Sequence, residues 1–273
     1  MEADTEHPES VACSVDDRGV ATVRLQRPEK HNAFDDDMIA RLREHFDRLA
    51  ADPAVRVVIL AAAGRSFSAG GDLAWMQRMA DYDYADNLND ARALAAMLRS
   101  LKQLPQPSIA CVQGGAFGGA VGLICCCDIA IGADTARFGL TETRVGLLPA
   151  TIGPYVIEAL GPRWTRRLFL TAERIDAQRA AQIGLLHEYC PAEQLSDRVE
   201  AVVGELLANG PTAMREAKKL CADLTYRAVD EAIIEDTSAR IARLRVGDEG
   251  QEGLNAFLDK RAPPWTGGDK TRV

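Results

Sequence analysis

The sequence contains no long apolar run and no recognisable targeting segment. No stretch approaches the ~18 consecutive apolar residues that a membrane span needs. The first ten residues, MEADTEHPES, are acidic and polar, which is typical neither of a signal peptide nor of an arginine-rich transit peptide. We therefore expect a cytoplasmic protein with no membrane partner, in which residues 1–10 form a flexible N-terminus.

Paired cysteines of the kind that build disulfide frameworks or zinc sites are also missing. The seven cysteines are an odd number, and three of them are adjacent at Cys125–Cys127. Adjacent cysteines on one helix point in different directions, and no C-x-x-C pair has a second half. We expect no metal, and we interpret the thiols as small apolar packing residues in a reducing compartment.

Nucleic-acid and nucleotide-binding signatures are absent as well. The 40 Asp and Glu outnumber the 32 Lys and Arg, which gives a net charge of −8 and argues against a nucleic-acid partner. The glycine-rich run at Gly114–Gly122 is followed by no Lys-Ser or Lys-Thr, and it does not have the G-x-G-x-x-G spacing. Neither a Walker-type phosphate loop nor a dinucleotide fingerprint is therefore predicted.

The pattern that is present predicts an α/β core followed by helices. The 273 residues are 47% hydrophobic, enough for one large domain with an appendage. Strands alternate with helices over the first two thirds, and the pattern is helical beyond Gly210. The predicted strands are 11–15, 20–25, 55–61 and 108–112. The first predicted helix begins after its cap, Asp35. Further helices are predicted at 74–79, 91–104, 121–127, 155–160, 162–170, 177–182 and 192–207. Residues 81–89 are predicted to form a polar, mobile connection.

The stretch from Pro105 to Pro149 organises the rest of the chain. A buried strand, Ser108–Val112, leads through glycines into a helix that is apolar on every side, and Glu142 is the one carboxylate in the otherwise uncharged run Phe138–Thr143. Two interpretations are open from these residues alone. The run is a tightly packed core helix with Glu142 capping a turn, or it is a binding site in which free N–H groups at the helix start meet a ligand.

A second loop resembles the first in its position. Gly64–Leu73, reading GRSFSAGGDL, also follows a buried strand and precedes a helix. If the strands are neighbours, one backbone N–H from each loop can meet a single oxygen, and such donors stabilise an enolate by about 3–4 kcal/mol each. A nearby carboxylate could then move a proton at the carbon next to that carbonyl.

Six motifs, in this order and spacing, resemble the enoyl-CoA hydratase/isomerase (crotonase) family from about Val11 to Trp265. They are RPEKHNAF (27–34), FSAGGDL (67–73), GGAFGGAVGLICCCDIAIG (114–132), FGLTETRVGLLP (138–149), LTAERIDAQRAAQIGLL (170–186) and GLNAFLDKRAPPW (253–265). The segments DLAWMQ at 72–77 and AFGGAVGLICCCDIAIG at 116–132, together with Thr141–Thr143, are similar to hydratases acting on methylglutaconyl-CoA and isohexenylglutaconyl-CoA.

The resemblance implies a fold, an assembly and a site. The fold is a ClpP/crotonase-like spiral of ββα units at 11–200, with a helical trimerisation region at 201–273 that assembles as a homotrimer or a dimer of trimers. The partner is an acyl-CoA thioester, which is the substrate, and no separate cofactor is implied. The implied catalytic groups are the amides of Ala69 and Gly119 and the carboxylate of Glu142. The implied substrate-binding residues are Arg27, Lys30, Ala33, Ala69, Gly70, Gly71, Asp72, Leu73, Gly118, Gly119, Phe257 and Lys260, of which Phe257 and Lys260 match positions that touch the nucleotide of a neighbouring subunit.

The sequence departs from the two-glutamate hydratases at one position. The first glutamate maps to Gly122, and glycine cannot transfer a proton. We expect Glu142 to act as the sole general acid and base of a hydratase. A Δ3-Δ2 enoyl-CoA isomerase is the alternative, since one base suffices for a double-bond shift, and a non-catalytic CoA- or RNA-binding protein is the alternative of another class.

Several side chains have weaker claims to a functional role. Asp72 is expected to cap the following helix, Asp128 to bind backbone groups, and His31 to shape its loop or contact the coenzyme. Two groups of side chains could contact the acyl part of the substrate, but surface ion pairs or core packing explain them equally well. Arg78, Arg137 and Arg144 could bind a distal carboxylate, and Trp75 and Met76 could line the acyl pocket.

Overall fold

The computed structural model describes residues 9–266, and its strands and helices follow the hydrophobic pattern of the chain. Residues 1–8 of the predicted flexible N-terminus and residues 267–273 of the predicted trimerisation region lie outside the described residues. The strands are Val11–Val15 (β1), Val20–Leu25 (β2), Val57–Ala62 (β3), Ser66–Ser68 (β4), Ser108–Val112 (β5), Gly115–Phe117 (β6), Ile129–Ala133 (β7), Arg137–Gly139 (β8), Arg174–Asp176 (β9) and Glu188–Cys190 (β10). The helices are Asp36–Ala51 (α1), Leu73–Ala80 (α2), Tyr84–Lys102 (α3), Gly119–Cys126 (α4), Gly153–Thr171 (α5), Ala177–Gln182 (α6), Leu195–Leu207 (α7), Pro211–Leu224 (α8), Glu231–Val246 (α9) and Asp248–Leu258 (α10). Within 9–266 no helix is long and apolar enough to cross a bilayer.

The larger sheet has six strands in the order β1-β2-β3-β5-β7-β10. The predicted hairpin is confirmed, since β1 and β2 pair antiparallel with Val11 opposite Leu25. The remaining neighbours are parallel, and β3 and β5 are almost entirely buried. A continuous apolar run is typical of a parallel strand covered on both faces, which is why the sequence predicted these two strands.

The smaller sheet has four strands in the order β4-β6-β8-β9, each only three residues long. These strands are not among the predicted ones, because three residues are too few to show an alternating pattern. β4 and β6 are parallel, as are β6 and β8. The ends of β4 and β6 therefore point the same way, toward the two loops that precede α2 and α4.

Side-chain caps and apolar faces account for the first helices. Asp35 accepts a hydrogen bond from the Met38 N–H, and α1 buries a face of Met38, Ile39, Leu42, Phe46 and Leu49, as predicted. The prediction of a mobile connection at 81–89 is wrong from Tyr84 onward. There the Asp83 side chain accepts from the Asp86 N–H and starts α3 seven residues earlier than predicted.

Helix α4 is short and buried on every side, as its sequence predicted. It packs against α3 and α5. The two predicted helices at 155–160 and 162–170 form one element, α5, which is kinked at Gly161, where φ is 72°. The packing of α3, α4 and α5 determines which side chains surround Gly122 in the site described below.

The chain divides into two compact units. The first runs to Leu104 and continues over Ser108–Glu200, and it contains both sheets and the main apolar core. The second comprises Pro105–Pro107 and the chain from Ala201 onward, with helices α8, α9 and α10. Within this second unit Glu249 accepts hydrogen bonds from the N–H groups of Thr212 and Ala213, both at 2.8 Å, and so ties α10 to the start of α8. The trimerisation role of 201–273 stays a prediction.

Candidate active site

The two loops singled out by sequence lie side by side, because the strands that lead into them are parallel neighbours. Ser66 pairs with Gly115 and Ser68 with Ala116. A Cβ at position 70 would lie 3.3 Å from the Phe117 carbonyl oxygen, so the two loops are in contact. The expectation that these loops come together is confirmed.

The Ala69 amide is already used within the fold. Its N–H donates to the His31 carbonyl oxygen at 2.9 Å. An amide engaged in this way is not available to an incoming carbonyl oxygen without breaking a native hydrogen bond. The prediction that Ala69 provides a donor is therefore wrong.

Gly71, two residues further along the loop, presents a free amide. Phe34 bonds both neighbours of Gly71, because its N–H donates to the Gly70 carbonyl and its carbonyl accepts from the Asp72 N–H, both at 2.7 Å. The Gly71 N–H itself has no acceptor among the described residues. No local sequence pattern distinguishes Gly71 from Ala69 as the donor, because a main-chain N–H belongs to both residues whatever their side chains.

Gly119 provides the second free amide. It is the first residue of α4, and its N–H has no acceptor within residues 9–266. The preceding Gly118 has φ +56° and ψ −123°, a conformation that residues with a Cβ rarely adopt. A Cβ at position 119 would lie 3.5 Å from the Phe34 ring, so the residue that holds Gly71 also packs beside Gly119. The positive end of α4 adds to the attraction for an oxygen at this point.

Glu142 faces the same turn. A Cβ at position 118 would lie 3.3 Å from Glu142 Oε1, which places the carboxylate beside the start of α4. The second oxygen, Oε2, is buried and has no hydrogen-bond partner among the described residues. Burial raises the pKa of Glu142 above its ordinary value, although its own backbone N–H opposes this. A carboxylate with a raised pKa and one buried oxygen that has no partner is typical of a general acid or base.

The position of the missing second glutamate is closed by apolar groups. A Cβ at Gly122 would lie 2.3 Å from Ile152 Cγ2 and 2.8 Å from Ile152 Cβ, with Leu98 Cδ2 at 3.6 Å. Ile152 immediately precedes α5 and is buried. No carboxylate can extend from position 122 in this packing, so Gly122 allows α4 and α5 to approach closely.

The residues expected to hold the coenzyme form a polar cluster next to these loops. Asp72 Oδ2 accepts from Lys30 Nζ at 3.1 Å and lies 3.4 Å from Arg27 Nη2. Burial alone would raise the pKa of Asp72, but the bonds from Lys30 and from two backbone N–H groups hold it below its ordinary value. Arg27 also pairs with Asp35 and is mostly buried, whereas half of the Lys30 side chain is exposed. Lys30 is thus the cation of this pair that faces solvent.

The other predicted contact residues belong to different units of the chain. Ala33 is buried next to the cluster, and its N–H donates to the Lys30 carbonyl, whereas Leu73 is 78% exposed at the start of α2. Phe257 and Lys260 belong to the second unit. Phe257 is 70% exposed on α10, and Lys260 follows that helix with φ 54°.

Most of the weaker candidates have structural partners. Asp128 accepts from the Ser108 N–H and Oγ, both at 2.8 Å, and Asp72 caps α2, as both were expected to do. The three arginines considered for a distal carboxylate are each engaged by protein oxygens. They are Arg78 with Asp36, Arg137 with the carbonyls of Asp134 and Ala136, and Arg144 with the carbonyl of Ala172.

The aromatic and imidazole candidates are also anchored. Trp75 is buried and donates its indole N–H to Asp90 at 3.1 Å, while its ring and Met76 both lie against the Gly71 position. The His31 ring bonds Ser66 Oγ at 3.1 Å. Trp75 and Met76 therefore border the amide-bearing loop, whereas His31 stabilises the segment before it.

Comparison with known proteins gives consistent matches along the chain. The pattern of the family described as enoyl-CoA hydratase/isomerase matches residues 16–268. The crystal structure of an enoyl-CoA hydratase from Shewanella pealeana has a TM-score of 0.90 and 44% identity, covering 94% of this chain and 96% of that one. The crotonyl-CoA hydratase of Syntrophomonas wolfei is 31% identical over 248 residues, 89% of this chain and 92% of that protein. The trans-2-decenoyl-(acyl-carrier-protein) isomerase of Streptococcus mutans is 29% identical over 254 residues, 92% of this chain and 96% of that protein.

Proposed function

The chain belongs to the enoyl-CoA hydratase/isomerase family, and on this basis we propose that it adds water reversibly to a branched 2-enoyl-CoA, with 3-methylglutaconyl-CoA as the expected substrate. The crotonase-like fold expected from the sequence is confirmed by the same matches. The observation that carries the proposal is the Glu142 carboxylate beside the start of α4, whose buried Oε2 has no hydrogen-bond partner among the described residues, together with the free amides of Gly71 and Gly119.

The proposed chemistry needs only these three groups. The thioester oxygen accepts hydrogen bonds from the Gly71 and Gly119 amides, which stabilise the negative charge that develops there. Glu142 takes a proton from water as the water oxygen bonds to C3, and the C2=C3 electrons move onto the thioester as an enolate. Glu142 then returns that proton to C2, which regenerates the carboxylate. No metal or redox cofactor takes part in this sequence.

Exposed apolar side chains support an acyl substrate. Val145, Leu147 and Leu148 lie in the segment just after Glu142, and each is more than half exposed. Contiguous exposed apolar groups next to a polar site are typical of a binding surface. For a distal carboxylate we propose Arg144, which lies two residues after Glu142 and has one Nη bonded to the Ala172 carbonyl. Its test is Arg144→Gln, which should lower kcat/KM for 3-methylglutaconyl-CoA and leave that for crotonyl-CoA unchanged.

A Δ3-Δ2 enoyl-CoA isomerase is the second candidate. The packing of Ile152 on Gly122 favours it, because a double-bond shift needs one proton carrier and no bound water. The similarity to the Streptococcus mutans isomerase supports the same possibility.

One assay separates the candidates. The purified protein is mixed with crotonyl-CoA, 3-methylglutaconyl-CoA or a 3-enoyl-CoA, and the absorbance of the conjugated thioester is followed. Loss of that band with the 2-enoyl substrates supports hydration, and its appearance from the 3-enoyl substrate supports isomerisation. No change with any substrate would contradict both and favour a binding protein.

A matched pair of variants tests the role of Glu142. Glu142→Gln should lower kcat by about 10²–10⁴-fold, because general acid–base catalysis contributes that much, and should leave CoA affinity unchanged. Glu193→Gln, a change of the same kind at an exposed glutamate, should have no effect. Retention of most activity by Glu142→Gln would remove Glu142 from the mechanism.

The assembly and location are also proposals. We expect a homotrimer or a dimer of trimers, supported by the exposed apolar residues Ile234, Ile241, Leu254 and Phe257 in the second unit. Size-exclusion chromatography with light scattering would test it. We propose a reducing compartment such as the cytoplasm, which is consistent with seven free thiols.

A further inference from the structure

Asn32 is a buried amide that joins the segment 27–34 to the strand before Gly71. Its side chain is fully buried, and its backbone has φ 53°, a conformation that asparagine tolerates better than most residues. Asn32 Oδ1 accepts from the Arg27 N–H at 2.8 Å. Its Nδ2 donates to the carbonyls of Ala63 at 2.8 Å and Ser66 at 2.9 Å.

The Gln113 side chain also donates to the Ser66 carbonyl. It lies just before β6, the strand that leads to Gly119. Its Nε2 donates to the carbonyls of Ala62 at 2.9 Å, Gly64 at 3.1 Å and Ser66 at 3.0 Å. The Ser66 oxygen therefore accepts one carboxamide from the segment before Phe34 and one from the segment before Gly119.

The strand pairing between these segments is too short to fix their spacing by itself. β4 and β6 have three residues each, and their register shifts between Ser66 and Ser68. The amides of Gly71 and Gly119 follow these strands by only a few residues. An oxyanion hole requires both donors within hydrogen-bond distance of one atom, so a small shift of β4 would separate them.

We propose that Asn32 and Gln113 are positioning residues that set the separation of the Gly71 and Gly119 amides through the Ser66 carbonyl. This inference rests on the proposed function of those amides. Neither side chain touches the thioester. Each acts by holding β4 at the distance from α4 at which both N–H groups meet one oxygen.

The test uses variants that keep the side-chain shape. Asn32→Asp retains the acceptor for the Arg27 N–H but replaces the donor to Ala63 and Ser66 by an oxygen, and Gln113→Glu does the same to its three carbonyls. Asn209→Asp is the matched control, because it makes the same amide-to-carboxylate change at a side chain whose Nδ2 donates to the Glu205 carbonyl within the second unit. Folding of each variant is checked by thermal denaturation.

Two readouts report on the amides rather than on folding. The first is the split between kcat and KM with crotonyl-CoA. The second is the near-ultraviolet band of the enolate of acetoacetyl-CoA, which forms on the protein when C2 loses a proton and the oxyanion hole stabilises the charge. We expect Asn32→Asp and Gln113→Glu to lower kcat by about 10²-fold, the cost of a misplacement of about 1 Å, with KM within threefold and the enolate band lost. Asn209→Asp should match the wild type.

The double variant tests the shared carbonyl. Since both side chains act through Ser66, Asn32→Asp/Gln113→Glu should lose no more kcat than the worse single variant. Fully multiplicative losses would contradict action through one atom.

Neutral variants keep the proposal testable if a charged variant does not fold. Asn32→Gly tolerates the positive φ, and Gln113→Leu removes the carboxamide without adding charge. Wild-type kcat and enolate band in any folded variant of Asn32 or Gln113 would overturn the proposal. Failure of all four single variants at these two positions to fold would also overturn it, because it would assign the pair to stability. A wild-type protein with no turnover and no enolate band would instead contradict the proposed function.

Discussion

Gly122→Ala adds one methyl group at the place where Ile152 already packs on α4. In an open helix this change stabilises by about 0.8–1.0 kcal/mol, because alanine is the better helix former. Here the new Cβ would lie 2.3 Å from Ile152 Cγ2 and 2.8 Å from Ile152 Cβ. Overpacking of a core costs about 1–3 kcal/mol, and the Cβ contact cannot be relieved by a rotamer change. We therefore expect a net loss of up to about 2 kcal/mol in the free energy of unfolding.

Gly153→Ala is the matched control. Gly153 is also buried and helical, but a Cβ there would meet its nearest atom, in Phe169, at an ordinary 3.9 Å. The variant should be within about 0.5 kcal/mol of the wild type or more stable. Urea denaturation followed by circular dichroism, at one protein concentration, measures both free energies.

A third variant identifies the contact responsible. In an Ile152→Ala background the 2.3 Å contact is absent, so Gly122→Ala should cost less than in the wild type, with a coupling energy of at least about 0.5 kcal/mol. Equal stability of Gly122→Ala and Gly153→Ala, without coupling to Ile152, would show that position 122 has room for a side chain. A second carboxylate at position 122 would then be sterically possible.

Four further outcomes are expected. Because burial raises the pKa of Glu142, kcat/KM should fall with decreasing pH at a higher pH than for an ordinary glutamate, and a pH–rate profile checks this. For the same reason the free energy of unfolding decreases as pH rises through that pKa, so Glu142→Gln should raise the Tm at neutral pH but not at pH values below an ordinary glutamate pKa. Asp72→Ala should lower the free energy of unfolding by about 0.5–2 kcal/mol, because the α2 cap is lost. Since the pKa of Asp72 is lowered in the folded protein, the stability difference between wild type and variant should shrink only as pH falls through that lowered pKa. Thermal denaturation at several pH values measures this. Iodoacetamide should modify the exposed Cys221 and should not modify Cys125 until the protein is unfolded, because burial raises the pKa of Cys125 to about 12. Mass spectrometry measures the labelling of each cysteine. Equal labelling of both in the folded protein would contradict the packing of α4.

Elements with strong local signals were predicted closely from sequence. Strand β5 and helix α6 have the predicted bounds, since the first is an apolar run bounded by Pro107 and Gly114 and the second begins after its cap, Asp176. The four strands of the smaller sheet were missed because their pairing, not their composition, defines them. The start of α3 was missed because its first turns are polar and exposed.

The site was predicted in outline, with one error and one omission. The loops and Glu142 followed from glycine patterns, spacing and the family resemblance. Which amide is free depends on the His31 carbonyl, almost forty residues before Ala69, and nothing in the local sequence indicates that bond. The residue that closes position 122 is likewise distant, because Ile152 reaches Gly122 only through the packing of α5 on α4.

The proposed use of main-chain amides as donors has a consequence for mutational surveys. Side-chain replacement at Gly71 or Gly119 leaves each N–H in the polypeptide. A systematic alanine scan would therefore report only steric effects at these positions and would not identify the two hydrogen-bond donors. Only exchange of a peptide amide for an ester, introduced by semisynthesis, removes one donor and nothing else. Variation among natural sequences would under-report these two positions in the same way, because what they contribute is common to every amino acid except proline.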